Sequence, residues 1–511
     1  MRTRWMVGVC AAVAAVAVGC GAGTTATQTP ATAPPSAAAA PTTAAAPKEA
    51  PPASGTAAEV HFPPIVRSAT KSGMEIDSVE LPTLPIAYVT LVVRSGSATD
   101  PAALPGLARL TATMLKEGTK KRSSAALAEA VEFLGANLDV HSDEENVYVE
   151  ASGLSEHFEE LLALVAEVAL KPTFDDKELQ KLKKRELARL ALQSQNPQFL
   201  GRRALYQALY GAHPYAHIDT TPDAVGRVKR SDLQRWHGQH FAPNNAVLVV
   251  AGALAPARVQ EVAGKAFAGW SKRKVPEPAY ATPPVITERR VILVDRPASV
   301  QSVILIGNLA IERTHPDWIP LTVANQVLGG SAAARLFMDL REKRSLTYGA
   351  YSSVGEKVRV APFVAYASVR NEVTAEAMRA FAEHLDRIVR EPASAGELAD
   401  AQRLIVDGFP LDIDTPGKIA GRITTLRVYG LPDDYWDKFR PAITAVTAEE
   451  ALAAAQRHVH PNASVIAVVG KAADVKPVLE AYGPVTVLDT DGKVVLSSTA
   501  TAPATPPTTT H

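Results

Sequence analysis

His240-Phe-Ala-Pro-Asn-Asn-Ala-Val-Leu-Val-Val-Ala-Gly252 and His458-Val-His-Pro-Asn-Ala-Ser-Val-Ile-Ala-Val-Val-Gly470 carry one pattern twice. His240 pairs with His458, Pro243 with Pro461, Asn244 with Asn462 and Gly252 with Gly470, at one constant offset. In each, a Pro-Asn turn breaks a helix end, and a short unbroken apolar run follows that reads as a buried strand. Self-similarity over such a period means two tandem copies of one domain. The copies are expected at 59–275 and 289–490, joined by a Pro-rich linker at 276–288.

Working outward, the first copy reads as a strand over 85–95, helices over 104–116 and 123–134, and strands over 137–143 and 146–153. The last two flank the polar turn Asp143-Glu144-Glu145. Helices follow over 155–170, 175–195, on to 210, 230–241 and 255–267, with a strand over 245–252. The second copy repeats the order with strands over 290–294, 300–308, 347–354, 361–369 and 463–470, and helices over 317–329, 373–390 and 394–408. Strands that come both paired and separated by helices predict an α+β class. Each copy is expected to be a mixed, mainly antiparallel sheet with helices on one face.

The chain has 511 residues, 47% hydrophobic and 21% charged, which is a globular composition. Lys+Arg and Asp+Glu are 53 each, so no basic field points to nucleic acid. The two cysteines, Cys10 and Cys20, lie near the N-terminus. A disulfide framework, a Cys-based zinc site and a thiol nucleophile in the body are excluded.

Residues 1–19 read as a signal peptide: Met1-Arg-Thr-Arg4 is basic and Trp5 to Val18 is apolar but short for a membrane span. Ala17-Val18-Gly19-Cys20 resembles a bacterial lipoprotein signal, with Cys20 cleaved and lipidated. Plain secretion and a retained anchor helix are the alternatives. Residues 20–58 and 491–511 are expected to be a disordered Ala/Pro/Thr tether and tail, too poor in large apolar side chains to order. This places the folded part in the periplasm, tethered to a membrane. Gly21, where some inner-membrane lipoproteins have Asp, favours the outer membrane.

Six stretches together resemble the insulinase/pitrilysin-like zinc peptidases (inverzincins), the family of mitochondrial processing peptidase. They are Gly106-Leu-Ala-Arg-Leu-Thr-Ala-Thr-Met-Leu-Lys-Glu-Gly-Thr119, Leu134-Gly-Ala-Asn-Leu-Asp-Val140, His213-Pro-Tyr215, Pro243-Asn-Asn-Ala246, Leu328-Gly-Gly-Ser331 and Leu340-Arg-Glu-Lys-Arg-Ser-Leu-Thr-Tyr348. The resemblance spans about 60 to 490. It implies a His-x-x-Glu-His helix in which two histidines hold zinc and the glutamate is the base. Those places hold Arg109, Ala112 and Thr113, and the third ligand's place falls on Arg189. A guanidinium offers zinc no lone pair, and Ala112 accepts no proton. Two cations are expected to repel a metal, leaving 104–116 as a core helix packing Leu107, Leu110, Met114 and Leu115. Glu186 is near the third place but is expected on another helix face. His213 and His217 are separated by a helix-breaking Pro214, His237 and His240 suit surface or capping roles, and His141 suits the solvent side of its strand.

The resemblance also implies what is kept. In the family's bacterial heterodimers the subunit without zinc supplies an arginine and a tyrosine seven apart, as Arg341 and Tyr348 are. A guanidinium fork grips a carbonyl or carboxylate, and a Tyr hydroxyl donates to a developing oxyanion. The alternative is a basic helix end (Arg335, Arg341, Lys343, Arg344) before a strand that starts with Tyr348. The edge strand at Gly135, Ala136, Asn137 and Leu138 is expected to take an extended peptide as an added strand, with Gly135 permitting close approach. The alternative is an ordinary edge guarded by Asp143, Glu144 and Glu145. The expected function is thus the Arg/Tyr-supplying subunit of a heterodimeric zinc endopeptidase. No zinc is expected in this chain, and a zinc-bearing homologous partner and an extended peptide are its expected partners. A non-enzymatic peptide-binding or assembly protein, and a zinc peptidase with displaced ligands at Glu186 and a nearby His, are the alternatives.

Overall fold

The computed structural model describes Gly55 and residues 59–497. The signal peptide, Cys20, nearly all of the tether and the end of the tail lie outside the described residues. No helix among the described residues is long and apolar enough to cross a membrane.

Two sheets form. The first contains β1 (Val66–Ala69), β2 (Glu75–Glu80), β3 (Ile86–Val93), β4 (Asn137–Ser142), β5 (Val147–Leu154) and β6 (Ala246–Gly252), in the order β1-β2-β6-β3-β5-β4. The second contains β7 (Arg290–Asp295), β8 (Gln301–Leu309), β9 (Thr347–Val354), β10 (Pro362–Arg370), β11 (Val465–Gly470), β12 (Val485–Leu488) and β13 (Val494–Ser497), in the order β13-β12-β7-β11-β8-β10-β9. Stripped of its edge additions, each sheet has the same five-strand order. β6 and β11, the strands of the repeated motif, run parallel to one neighbour and antiparallel to the other in both copies. The class is α+β with two tandem homologous domains, as the repeat implied. No helix or strand separates Ala266 from Arg290, the stretch that contains the expected linker.

Several elements correct the expectation, β1 and β12 among them. β2 was not anticipated, because Asp77 and Ser78 are buried in it and break the apolar pattern. The tail does not begin at 491: residues 491–497 turn at Gly492 and return as β13, paired with β12.

Each copy's own helices cover one face of its sheet. α1 (Leu107–Leu115), α2 (Ser124–Phe133) and α3 (Phe158–Leu170) do so in the first copy, with α4 (Asp176–Gln193) packed beside them. Leu107, Leu110, Met114 and Leu115 enter that core as expected. The opposite face of each sheet is covered by a helix from the other copy. α5 (Pro197–Tyr210) belongs to the first copy, yet Leu200, Ala204, Leu205 and Leu209 pack on Val303, Leu305, Val465 and Val469 of the second sheet. The helix Pro416–Tyr429 returns the exchange, laying Ile419, Ala420, Ile423 and Leu426 on Val79, Val92, Val247 and Val249. This is why β6 and β11 are buried along their whole length and read as unbroken apolar runs. Full burial of one such Leu or Ile contributes about 2 kcal/mol.

Polar locks accompany the exchange. Arg427, on the lent helix, pairs with Asp77 of β2 and with Asp433 at 2.7 Å. The turn between β4 and β5 reaches the second copy: Lys357 Nζ lies 2.8 Å from Glu144, and Glu145 accepts from Tyr215 Oη–H and, at 2.7 Å, from Val358 N–H. Glu144 and Glu145 therefore do not serve as the free solvent guard considered for this edge; they join the copies. Burial pushes Glu145 up to about 7, against the opposing hydrogen bonds.

Removing one partner of a buried ion pair strands the other. Arg427→Ala is expected to cost about 3 kcal/mol in urea unfolding. Because Glu145 is raised, the folded state favours its neutral form; that contribution is full below its ordinary value and is lost as pH rises through about 7. The unfolding midpoint is expected to fall between about pH 4.5 and 7, less so in Glu145→Gln.

Candidate functional site

α1 enters its helix at Gly106, whose φ is +88° and whose Cβ would sit 2.4 Å from Thr220 Cβ, so only glycine fits. Asp100 caps the helix, accepting Gly106 N–H at 2.7 Å and Ala108 N–H at 2.8 Å. Burial still pushes Asp100 up to about 7. This fixed start aims Arg109 at α4.

There Arg109, Glu186, Arg189 and Asp219 close into a quartet. Arg109 donates to Glu186 Oε2 at 2.6 Å and lies 3.5 Å from Asp219 Oδ1. Arg189 donates to Glu186 Oε2 at 2.8 Å and holds Asp219 by both oxygens, at 2.7 and 2.8 Å. Burial pushes Glu186 up, but the bonds from Arg109 and Arg189 outweigh it and hold the carboxyl below its ordinary value. The hydrogen bond to Asp219 drives Arg189 upward. Thr113 spends its hydroxyl on Arg109 O at 3.0 Å, and Ala112 is buried in the core.

Two expectations change here. Glu186 does not face away: it meets Arg109 directly. The position also does not repel a metal by net positive charge, because two guanidiniums face two carboxylates. A zinc ion fails to fit for another reason. The arginines stand in the place of the ligands and offer a metal no lone pair. Among the described residues Glu186 is not grouped with two further metal-binding side chains, which a displaced zinc site would need. Asp219 was not singled out from sequence; the signal was that two buried-side arginines need anions, without a spacing to say which.

Beside the quartet lies a cleft of about 720 Å³, lined among others by Asp100, Arg109, His217, Asp219, His240 and Glu277. The histidines correct in part. His240 is buried with Nδ1 on Ser95 Oγ at 3.0 Å, and His237 Nε2 bonds Ala169 O at 2.7 Å, so neither is a surface residue. His213 is buried and accepts Tyr215 N–H at 3.1 Å. Burial pushes all three down to about 4. His141 is exposed and stacks on Tyr148.

β4 is an edge strand that pairs only with β5, and its outer backbone edge begins at Asn137 and Leu138. Gly135 is needed for its φ of +57°, not for close approach within the chain: a Cβ there meets nothing within 4 Å. A Cβ added at Gly153 would stand 3.2 Å from Ala136 Cβ.

In the second copy, Arg341 lies on the wide turn Met338–Lys343. Its guanidinium sits 4.7 Å over the Phe337 ring and 3.4 Å from Glu342, and its side chain is 47% exposed. Tyr348 is the second residue of β9, an edge strand of the second sheet, and is 90% exposed. Their basic neighbours differ. Arg335 is bonded twice to Glu397, at 2.7 and 2.9 Å, and Arg344 bonds Asp339 and Glu383 at 3.0 and 2.8 Å. Arg335 and Arg344 hold the fold; Arg341 and Tyr348 face solvent.

Comparison with known proteins agrees with this anatomy. Residues 76–223 match the family described as "Insulinase (Peptidase family M16)", and 227–405 match the "Peptidase M16 inactive domain". The chain is 24% identical to the "Non-peptidase homolog YmxG" of Helicobacter pylori over 72% of this chain and 86% of that one. It is 26% identical to an "Uncharacterized zinc protease" of Mycobacterium tuberculosis strain H37Rv over 70% and 82%. A crystal structure of a peptidase M16 inactive domain from Pseudomonas fluorescens superposes with a TM-score of 0.74 at 29% identity, covering 80% of this chain and 98% of that one.

The quartet is expected to stabilise the fold through charged hydrogen bonds. Asp219→Asn, which weakens both bonds to Arg189, is expected to cost about 2 kcal/mol in urea unfolding.

Proposed function

The chain belongs to peptidase family M16, the insulinase family, and we propose that it is the zinc-free subunit of a two-subunit endopeptidase. On this reading a homologous partner carries the catalytic zinc, and this chain brings Arg341 and Tyr348 to the shared centre. One contrast carries the reading: the metal position of the first copy is closed by the quartet, while Arg341 and Tyr348 are exposed and take little part in folding.

The chemistry assigned to this chain needs no metal of its own. Tyr348 Oη–H donates to the carbonyl oxygen of the scissile bond as that oxygen gains charge. Arg341 grips a neighbouring substrate carbonyl with its fork of donors and sets its register. A zinc ion held by the partner would supply the Lewis acid for the attacking water. The free edge at Ala136, Asn137 and Leu138 adds the substrate as a strand through backbone hydrogen bonds, which accept many sequences. Extended or unfolded peptides are the matching substrates. The leader and Cys20 support a periplasmic lipoprotein, with the outer membrane slightly favoured.

A second reading is a peptide-binding protein without catalysis. The Helicobacter relative described as a non-peptidase homologue favours it. Both readings use the β4 edge; only the first needs Tyr348.

In a complex reconstituted with a zinc-bearing homologue, Tyr348→Phe is expected to lower kcat about 100-fold with KM little changed. Unchanged turnover removes the catalytic role and leaves the binding reading.

A further inference from the structure

The second copy holds a cluster of metal-binding side chains far in sequence from the quartet. His315 and Asp317 lie just before the helix Trp318–Leu328, and His458 ends the helix Ala448–His458. One donor atom from each residue lies within 4.8 Å of the others. His458 Nε2 is 2.6 Å from Asp317 Oδ2, and His315 Nδ1 is 4.0 Å from the same oxygen. The two rings meet edge-on at 4.9 Å.

We propose that His315, Asp317 and His458 bind one zinc ion, with water in the fourth position. Two imidazoles and a carboxylate are a zinc donor set. With bonds of about 2.0 Å in a tetrahedron, donor atoms stand about 3.3 Å apart. The 2.6 Å pair therefore opens and the 4.0 Å pair closes by a similar small amount, within the reach of side-chain rotation. The ion replaces two existing partnerships: the His458–Asp317 hydrogen bond, and the Asp317 N–H bond to His315 Nδ1 at 3.0 Å.

Arg457 completes the site from outside. It holds Asp317 Oδ2 at 2.7 Å and Oδ1 at 3.0 Å. A carboxylate oxygen has lone pairs for both a guanidinium and a metal, and such an outer partner fixes the orientation of the ligating group. His315 is exposed, Asp317 half-buried and His458 buried, so an ion enters from solvent on one side.

The first copy supplies an internal contrast. Its counterpart of His458 is His240, which is buried and bonds Ser95 Oγ at 3.0 Å. The donor set belongs to the second copy alone among the described residues. An ion there ties the start of one core helix to the end of another, which makes it a structural clamp. This goes beyond the proposed peptidase role and does not depend on it.

The test is equilibrium dialysis of the full chain against zinc chloride, with cobalt(II) absorption as a second readout. One zinc per chain is expected, a visible tetrahedral cobalt band, and a raised melting temperature with zinc. His315→Ala, at an exposed position, is expected to weaken binding roughly tenfold or more and to abolish the cobalt band. Asp219→Asn is expected to change neither. No zinc uptake, or uptake that survives His315→Ala unchanged, overturns the assignment.

Discussion

A sheet has two apolar faces, and in this chain each copy supplies enough helix to bury only one of them. The other face is buried by a borrowed helix: α5 lies on the second sheet and Pro416–Tyr429 on the first. Neither copy can leave without exposing Leu200, Leu205 and Leu209, or Ile419, Ile423 and Leu426, to water. The loss on either side is many times the stability of an ordinary contact. Gly201 shows how closely the exchange is fitted: a Cβ there would stand 2.5 Å from Leu305 Cδ1.

The exchange also builds the quartet. α4 carries Glu186 and Arg189 and turns through Asn196, which caps α5 by accepting from Gln198 and Phe199 N–H. The loop that leaves α5 carries Asp219. Docking α5 on the second sheet therefore fixes both sides of the cluster, and Asp100 with Gly106 fixes Arg109 on the third. Charges that would be costly alone are matched inside a partly buried site, which is the condition under which such pairs are tolerated. The quartet of Arg109, Glu186, Arg189 and Asp219 is part of the folding machinery. That leaves chemistry, on the proposed reading, to the exposed pair in the second copy.

Much of this was legible in sequence, and the gaps have physical causes. The repeat was plain because two buried strands keep an apolar run beside a fixed Pro-Asn turn. The expected loss of zinc ligands rests on residue identity, since a guanidinium such as that of Arg109 offers no lone pair. Their replacement was not legible, since Arg109 and Asp219 meet only after α5 has crossed to the other sheet. β2 was hidden by Asp77, whose burial makes sense only beside Arg427, on the other copy. The helix Pro416–Tyr429 was missed for a related reason: Gly417, Gly421, Thr424 and Arg427 blur its period, and its partner face belongs to the first copy. Gly135 was singled out for close approach, and its φ of +57° gives it a conformational role within the chain instead.

The most direct measurement is hydrolysis of an extended fluorogenic peptide by the purified chain alone, with zinc added and with a chelator. The readout is turnover, so zinc held at His315, Asp317 and His458 does not confuse it. A closed metal position predicts no hydrolysis above background under either condition. Zinc-dependent, chelator-sensitive turnover by the chain alone would contradict the account.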